Sequence, residues 1–251
     1  MNNTIKVLDH GYVKLLNVAG PVRRPDQAFD ASDVDPANVA RKSFDQMSQR
    51  DRASDLKLND YLLRQNPPHS EPFEFIECWF EMKLPLFVAA QMKRHRTARL
   101  WDPTEDVYDP SIDEMSMRYV QAYREWYVPE ETRVTLRPQH IKQGSGDEIY
   151  EHSGQFVREL DALCASSYER YEHYLKEGVA PELCRAFLHV NTYTGWAWKQ
   201  DLWNVFHLLA CRDHSHAQFE ARAYAEAIGV LLKKELPELM RLYETYRKAE
   251  Q

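Results

Sequence analysis

The stretch FIECWFEMKLPLFVAAQMKRHR, residues 75–96, changes period in its middle. Up to Lys83 it alternates. Ile76, Cys78, Phe80 and Met82 fall on one face, and Glu77, Glu81 and Lys83 on the other, with Trp79 the exception. That pattern predicts a half-buried strand. From Leu84 to Ala90 the residues are apolar without alternation, and Pro85 stands where the first turn of a helix tolerates it. A strand therefore runs directly into a helix. The helix ends in charge: Lys93, Arg94, His95, Arg96 and Arg99 lie within seven residues. Such a cluster repels itself unless an anion neutralises it, and arginine forks match phosphate oxygens. At helical spacing Gln91, Arg94 and His95 share a side.

On the N-terminal side, residues 5–8 and 13–19 read as two short strands joined by Asp9-His10-Gly11. Residues 21–36, rich in Pro and Asp, read as loop. Helices are predicted near 38–47 and over 51–64, the second ended by Asn66-Pro67-Pro68. On the C-terminal side, Trp101–Ile112 is acidic, contains two prolines and has no period, as an inserted surface loop does. A helix from about 113 to 125 and a short strand at 134–136 are predicted between less regular stretches. The last hundred residues are helical in pattern. Phe156 to Leu175 keeps helical spacing up to Gly178, and Pro181–Leu188 makes a short helix. Trp198–Cys211 reads as a helix with a polar side of Gln200, Asn204 and His207. Ser215 and Gln218 fit a capping box opening a helix to about Lys234, and a final helix follows Pro237.

The bulk numbers limit the class. The chain has 251 residues, enough to bury a sizeable core as one domain, and its 43% apolar and 28% charged residues suit a folded protein. No run of about 18 apolar residues exists, so no membrane span is expected. The start, MNNTIKVLDHGYVKLL, lacks a basic region followed by an apolar one, and the four cysteines lie far apart. Reduced thiols in a cytoplasmic protein are expected. A net charge of −7 argues against a nucleic-acid binder, which needs a basic surface. A local basic site on an acidic chain suits a small phosphorylated ligand.

The motifs around that site resemble those of the flavin-dependent thymidylate synthases. Arg94-His95-Arg96, followed by Glu114-Met115-Ser116-Met117-Arg118-Tyr119, is similar to that family's signature: RHR, seven residues, then a serine with Glu two before and Arg two after. His69-Ser70-Glu71-Pro72-Phe73-Glu74, Asn191-x-Tyr193-Thr194 with Trp198, and Arg212-x-x-Ser215-His216-Ala217-Gln218-x-Glu220 resemble three further family segments. Val39–Phe44 has a counterpart near the family's N-terminus. The matches keep their order along nearly the whole chain.

The resemblance implies an α/β (α+β) fold, a mixed or antiparallel sheet with long helices. It implies transfer of a methylene group from methylenetetrahydrofolate to C5 of dUMP, reduced by FADH2 to give dTMP, with NADPH re-reducing the FAD. No cysteine need attack the uracil ring. By position, Gln91, Arg94, Glu114, Ser116, Met117, Arg118, Arg185 and Arg212 would bind dUMP, with Arg118 and Arg185 on its phosphate. Arg212 would hold the uracil edge and act as the catalytic cation. His69, Glu71, Arg94, His95, Arg96, Glu114, Asp201, Trp203 and His207 would face FAD. The resemblance also implies a homotetramer with shared active sites.

The sequence departs from the signature in places. Nineteen residues separate Arg96 from Ser116 where the family has seven, an excess of twelve covered by the acidic loop. Asp201, Trp203 and Glu71 stand where the family carries other polar residues. These differences keep two other readings open: a variant that hydroxymethylates dUMP, and a non-catalytic nucleotide-binding homologue. A zinc hydrolase using Cys211-x-x-His214-x-His216 is more remote, since that spacing matches no closed zinc pattern, and no metal is expected.

Overall fold

A computed structural model describes residues 3–21, 30–44, 51–95, 112–138, 144–212 and 217–246. Thr4–Val7 (β1) and Gly11–Ala19 (β2) form an antiparallel hairpin. A Cβ on Gly11 would lie 2.7 Å from the Val7 carbonyl oxygen and 2.8 Å from that of Lys83, and would overlap the Tyr224 hydroxyl. Only glycine lets the hairpin settle so closely on its neighbours. Asp35–Ala40 (α1) runs on into a 3-10 turn, Arg41–Phe44. It starts slightly before the helix expected near 38–47, and residues 45–47 lie outside the described set. Arg52–Arg64 (α2) begins after Asp51, whose carboxylate accepts the Ser54 N–H at 3.0 Å.

The strand-to-helix change expected in residues 75–96 is realised, but about two residues later than read: Leu84 and Pro85 still belong to the strand, and Pro85 is the N-cap of the helix, not part of its first turn. Glu77–Pro85 (β3) lies at the middle of the sheet, and Pro85 leads directly into Leu86–Met92 (α3). Ile112–Glu114 (β4) and Ser153–Lys176 (α4) follow. Then come Pro181–Cys184 (α5), Tyr193–Asp201 (β5), Leu202–Arg212 (α6), Phe219–Glu235 (α7) and Pro237–Tyr246 (α8). The sheet order is β1-β2-β3-β5-β4 and every pairing is antiparallel.

Four expectations need correction. The helix read over Trp198–Cys211 starts only at Leu202, because Tyr193–Asp201 is the strand that pairs along the whole of β3. No helix spans 113–125: Ile112–Glu114 extends alongside Trp198–Trp196, and the chain then turns at Ser116. Pairing with β5 overrides a weak helical pattern there. The strand expected at 134–136 is reduced to one bridge, Thr135 to Ile149. The last long helix opens at Phe219 with Gln218 as its N-cap, so the capping box on Ser215 is not what starts it; Ser215 itself lies outside the described residues.

Cys78, Phe80, Met82 and Leu84 of β3 are wholly buried and meet Val13, Trp198, Phe206, Ile228 and Leu242 in the main core. Trp79, on the other face, is 42% exposed. A smaller core gathers Met117, Ala122, Tyr168, Tyr171 and Cys184 under α4. All four cysteines are free. No described helix is long and apolar enough to cross a membrane. Of the acidic insert expected over 101–112, residues 101–111 lie outside the described residues, and Ile112 opens β4 instead of ending a loop.

Candidate active site

The sequence puts α3 between two different environments. Its first two N–H groups are taken by the chain just before β5: Leu86 N–H donates to Thr192 O at 3.0 Å, and Phe87 N–H to Val190 O at 2.9 Å. That anchoring fixes the helix rotation. Leu86, Ala89, Ala90 and Lys93 then share one side, at the i, i+3, i+4, i+7 spacing. They line a cleft of roughly 730 Å³ whose other walls include Glu114, Ser116, Met117, Glu182 and Arg185. Gln91 and His95 belong to the opposite side.

Ser116 is where the chain leaves β4. Its carbonyl accepts the N–H groups of Tyr119 (3.0 Å) and Val120 (3.1 Å), while its hydroxyl accepts Arg118 N–H at 3.3 Å. Met117 is buried in the smaller core and pins this turn. Arg118 Nε lies 3.2 Å from Glu182, both about half exposed. Glu114 pairs with Lys93, and its other oxygen accepts the hydroxyl of buried Thr194 at 3.0 Å. The Lys93–Glu114 pair was not legible in sequence, because 20 residues separate the two and β4 was not expected.

The opposite side of α3 faces a second cluster. Arg212, the last residue of α6, donates from Nε to His95 Nε2 at 2.9 Å. The His95 carbonyl accepts Gln200 Nε2 at 2.8 Å, and the His207 ring centroid is 5.8 Å away. Burial, then the Arg212 charge, then His207, lower the His95 pKa to about 4. It is therefore neutral near pH 7, with Nε2 as acceptor and the proton on Nδ1. His95, His207 and Cys211 also put one ligand atom each within 4.8 Å of one another. Arg212 already occupies the His95 lone pair a metal would need, and a cation beside that guanidinium is disfavoured.

Gln91 bonds to Gln218, which donates to Glu220 at 2.9 Å. Glu220 is buried and also accepts Arg133 (2.9 and 3.2 Å) and the Tyr127 hydroxyl (3.1 Å). Burial pushes the Glu220 carboxyl up, but the bonds from Arg133 and Gln218 outweigh it and hold it below its ordinary value of 4.5. A carboxylate with a depressed folded-state pKa stabilises the fold above its unfolded pKa and loses that contribution as pH falls through the folded one. Glu220→Gln is thus expected to lower the melting temperature at pH 7 while flattening its decline below about pH 4.5, as a thermal-melt series across pH would read.

Of the remaining expected residues, Trp203 and His207 lie on α6 and Asp201 directly before it. His69 is exposed, edge-on to Tyr61 at 6.2 Å. Glu71 opens a one-turn 3-10 helix, Glu71–Phe75. Burial, then Asp201, then Glu71, raise the pKa of Glu74, so three carboxylates sit together. Asp201 is buried and caps α6, accepting Asn204 N–H at 2.9 Å and Nδ2 at 2.6 Å. Trp203 packs edge-on to Phe206. His207 is exposed, with Nε2 3.7 Å from Cys211 Sγ. Arg94 is exposed, and Arg96 lies outside the described residues.

The structure thus brings Glu114, Ser116, Met117 and Arg185 to the cleft, with Arg118 at its rim. It brings His95, His207 and Arg212 together elsewhere, and Gln91 to Gln218, across α3 from the cleft. A slightly larger hollow, about 800 Å³, lies between β1, Tyr127 and α7. Its walls are mainly Ile5, Val7, Leu8, Ala227 and Val230, and its Arg133 is committed to Glu220. The smaller cleft has the richer chemistry.

Comparison with known proteins identifies the family. Residues 26–238 match the family described as Thymidylate synthase complementing protein. The chain is 36% identical to the flavin-dependent thymidylate synthase of Ehrlichia ruminantium (strain Gardel) over 233 residues, covering 92% of this chain and 70% of that one. It is 34% identical to that of Treponema denticola over 250 residues, covering 99% and 84%. The crystal structure of a UMP/dUMP methylase PolB from Streptomyces cacaoi bound with 5-Br dUMP superposes with a TM-score of 0.76 at 25% identity, covering 97% of this chain and 99% of that one. With the motifs in order and the fold shared, the chain belongs to the flavin-dependent thymidylate synthase family.

Proposed function

We propose that the protein is a flavin-dependent thymidylate synthase that carries a methylene group from methylenetetrahydrofolate to C5 of dUMP and reduces it to the methyl of dTMP. The observation that carries this reading is the pairing of two sites by one helix: a nucleotide-sized cleft that carries Lys93 and Arg185, and a guanidinium held on a neutral imidazole. The PolB structure, of a protein sharing this fold, holds a brominated dUMP.

In this reading Arg185, Arg118 and the Ser116 turn bind the nucleotide phosphate. Arg212 holds the uracil edge, where its charge favours the negative charge that builds as C5 attacks the methylene carbon. His95 accepts from Arg212 and so aims it. The two sets lie on opposite sides of α3, so one chain does not close a complete site; copies of the chain in a homotetramer complete each other's.

The second cluster fits a flavin at one end. Arg212 offers a cation, and His95 and His207 offer flat imidazoles, beside an electron-accepting ring. It fits less well where Glu71, Glu74 and Asp201 gather, since a cofactor diphosphate there meets carboxylates; that observation favours the nucleotide-binding homologue as the second reading. When bound, reduced FAD supplies the hydride, with NADPH as the source of its electrons.

A visible spectrum tests this. The purified protein with FAD is expected to show flavin absorbance that bleaches with NADPH and returns on adding dUMP and methylenetetrahydrofolate, with dTMP as product by mass. A hydroxymethyl product mass identifies the variant chemistry. Binding of dUMP without flavin uptake identifies the second reading and overturns the first.

A further inference from the structure

We infer that Lys93 is a third phosphate-binding cation of the nucleotide cleft, an assignment that rests on the reading of that cleft as the dUMP site. Lys93 stands one turn beyond Ala89 and Ala90 on the cleft wall of α3, and the small side chains before it leave the wall open. Its ammonium is held from two directions. Glu114 pairs with it, itself fixed by Thr194, and the Trp196 ring centroid is 5.7 Å away. An ammonium has three N–H donors, and this pairing takes one.

Charge balance makes the assignment specific. In the ligand-free cleft Lys93 and Arg185 are matched by Glu114 and Glu182, and Arg118 is closed on Glu182. A phosphate monoester brings close to two negative charges at neutral pH. Glu182 is 53% exposed and free to swing into water when phosphate takes its place on Arg118. Lys93, Arg118 and Arg185 against Glu114 then leave a charge of plus two, which the phosphate cancels. Without Lys93 the cleft is one charge short.

The test is calorimetric titration with dUMP and, separately, with deoxyuridine, which lacks the phosphate. Lys93→Met is expected to weaken dUMP binding roughly ten- to hundredfold, the range of a hydrogen bond to a charged group. It should leave deoxyuridine binding within about twofold of wild type, and Lys93→Arg should recover most of the loss. Arg185→Ala reports on the cleft itself. If Arg185→Ala weakens dUMP but Lys93→Met binds it like wild type, the role of Lys93 is refuted and the cleft reading stands. Equal weakening of both ligands in Lys93→Met, at an unchanged melting temperature, also refutes it. Wild type that does not bind dUMP, or is indifferent to Arg185→Ala, brings down the cleft reading and this assignment together. Should the methionine variant not fold, Lys93→Gln is titrated in its place under the same criteria.

Discussion

Arg212→Ala is expected to lower turnover by about 10²–10³-fold, the usual effect of removing one preorganised charge from a site where charge develops. Two readouts separate this from a general loss of structure. Arg212 is the second-largest cause of the low His95 pKa and donates to its Nε2, so its removal should lift the His95 titration from about 4 towards the ordinary histidine range, visible by NMR of the ring protons. The binding of dUMP should fall less than the rate, since the phosphate contacts proposed for the cleft are untouched. Arg212→Lys keeps the charge but loses the planar fork, and belongs between the two. A variant whose His95 titration moves while turnover stays at the wild-type rate would reduce Arg212 to a structural partner of the imidazole.

Asp55→Ala is expected to destabilise the fold by about 3–5 kcal/mol. Asp55 is fully buried and pairs with Arg41, whose side chain is only 7% exposed. Arg41 also donates to Asn38 Oδ1 at 3.3 Å, so one guanidinium joins α1 and its 3-10 turn to α2. Removing the carboxylate takes this ion pair from a buried cation. At about 2–4 °C per kcal/mol for a chain of this size, the melting temperature should drop by roughly 6–20 °C. The double change Arg41→Met with Asp55→Leu should recover most of that, because exchanging a buried pair for apolar side chains of similar volume is often neutral. Failure to recover would mean that shape, not charge, governs this contact.

The contrast between β3 and β5 shows how far the residues alone reach. For β3 the alternation of Ile76, Cys78, Phe80 and Met82 against Glu77, Glu81 and Lys83, broken only at Trp79, made the strand plain. In β5 the inward positions are Thr194, Trp196, Trp198 and Gln200, with buried polar groups at both ends. Alternation is present, but a hydropathy reading passes over it, and Trp198 joined the helical pattern that follows. The motif residues were legible as members of a family, yet their division between two sides of α3 was not. That depends on how Thr192 and Val190 clamp the helix, a contact more than 100 residues away along the chain. The bonds of Glu114 to Lys93 and Thr194 depend on β4, which only tertiary pairing reveals.

Serving two opposed surfaces has a consequence for how this chain can vary in length. Each residue added to a helix turns everything beyond it by about 100°. One insertion between Pro85 and Lys93 would carry the lysine away from Glu114 and uncouple His95 from Arg212 at a stroke. The twelve residues in excess of the family spacing all fall between 97 and 115, after α3 has ended at Met92. The extra length thus lies beyond α3, while the eleven positions from Pro85 to His95 keep count for both sides.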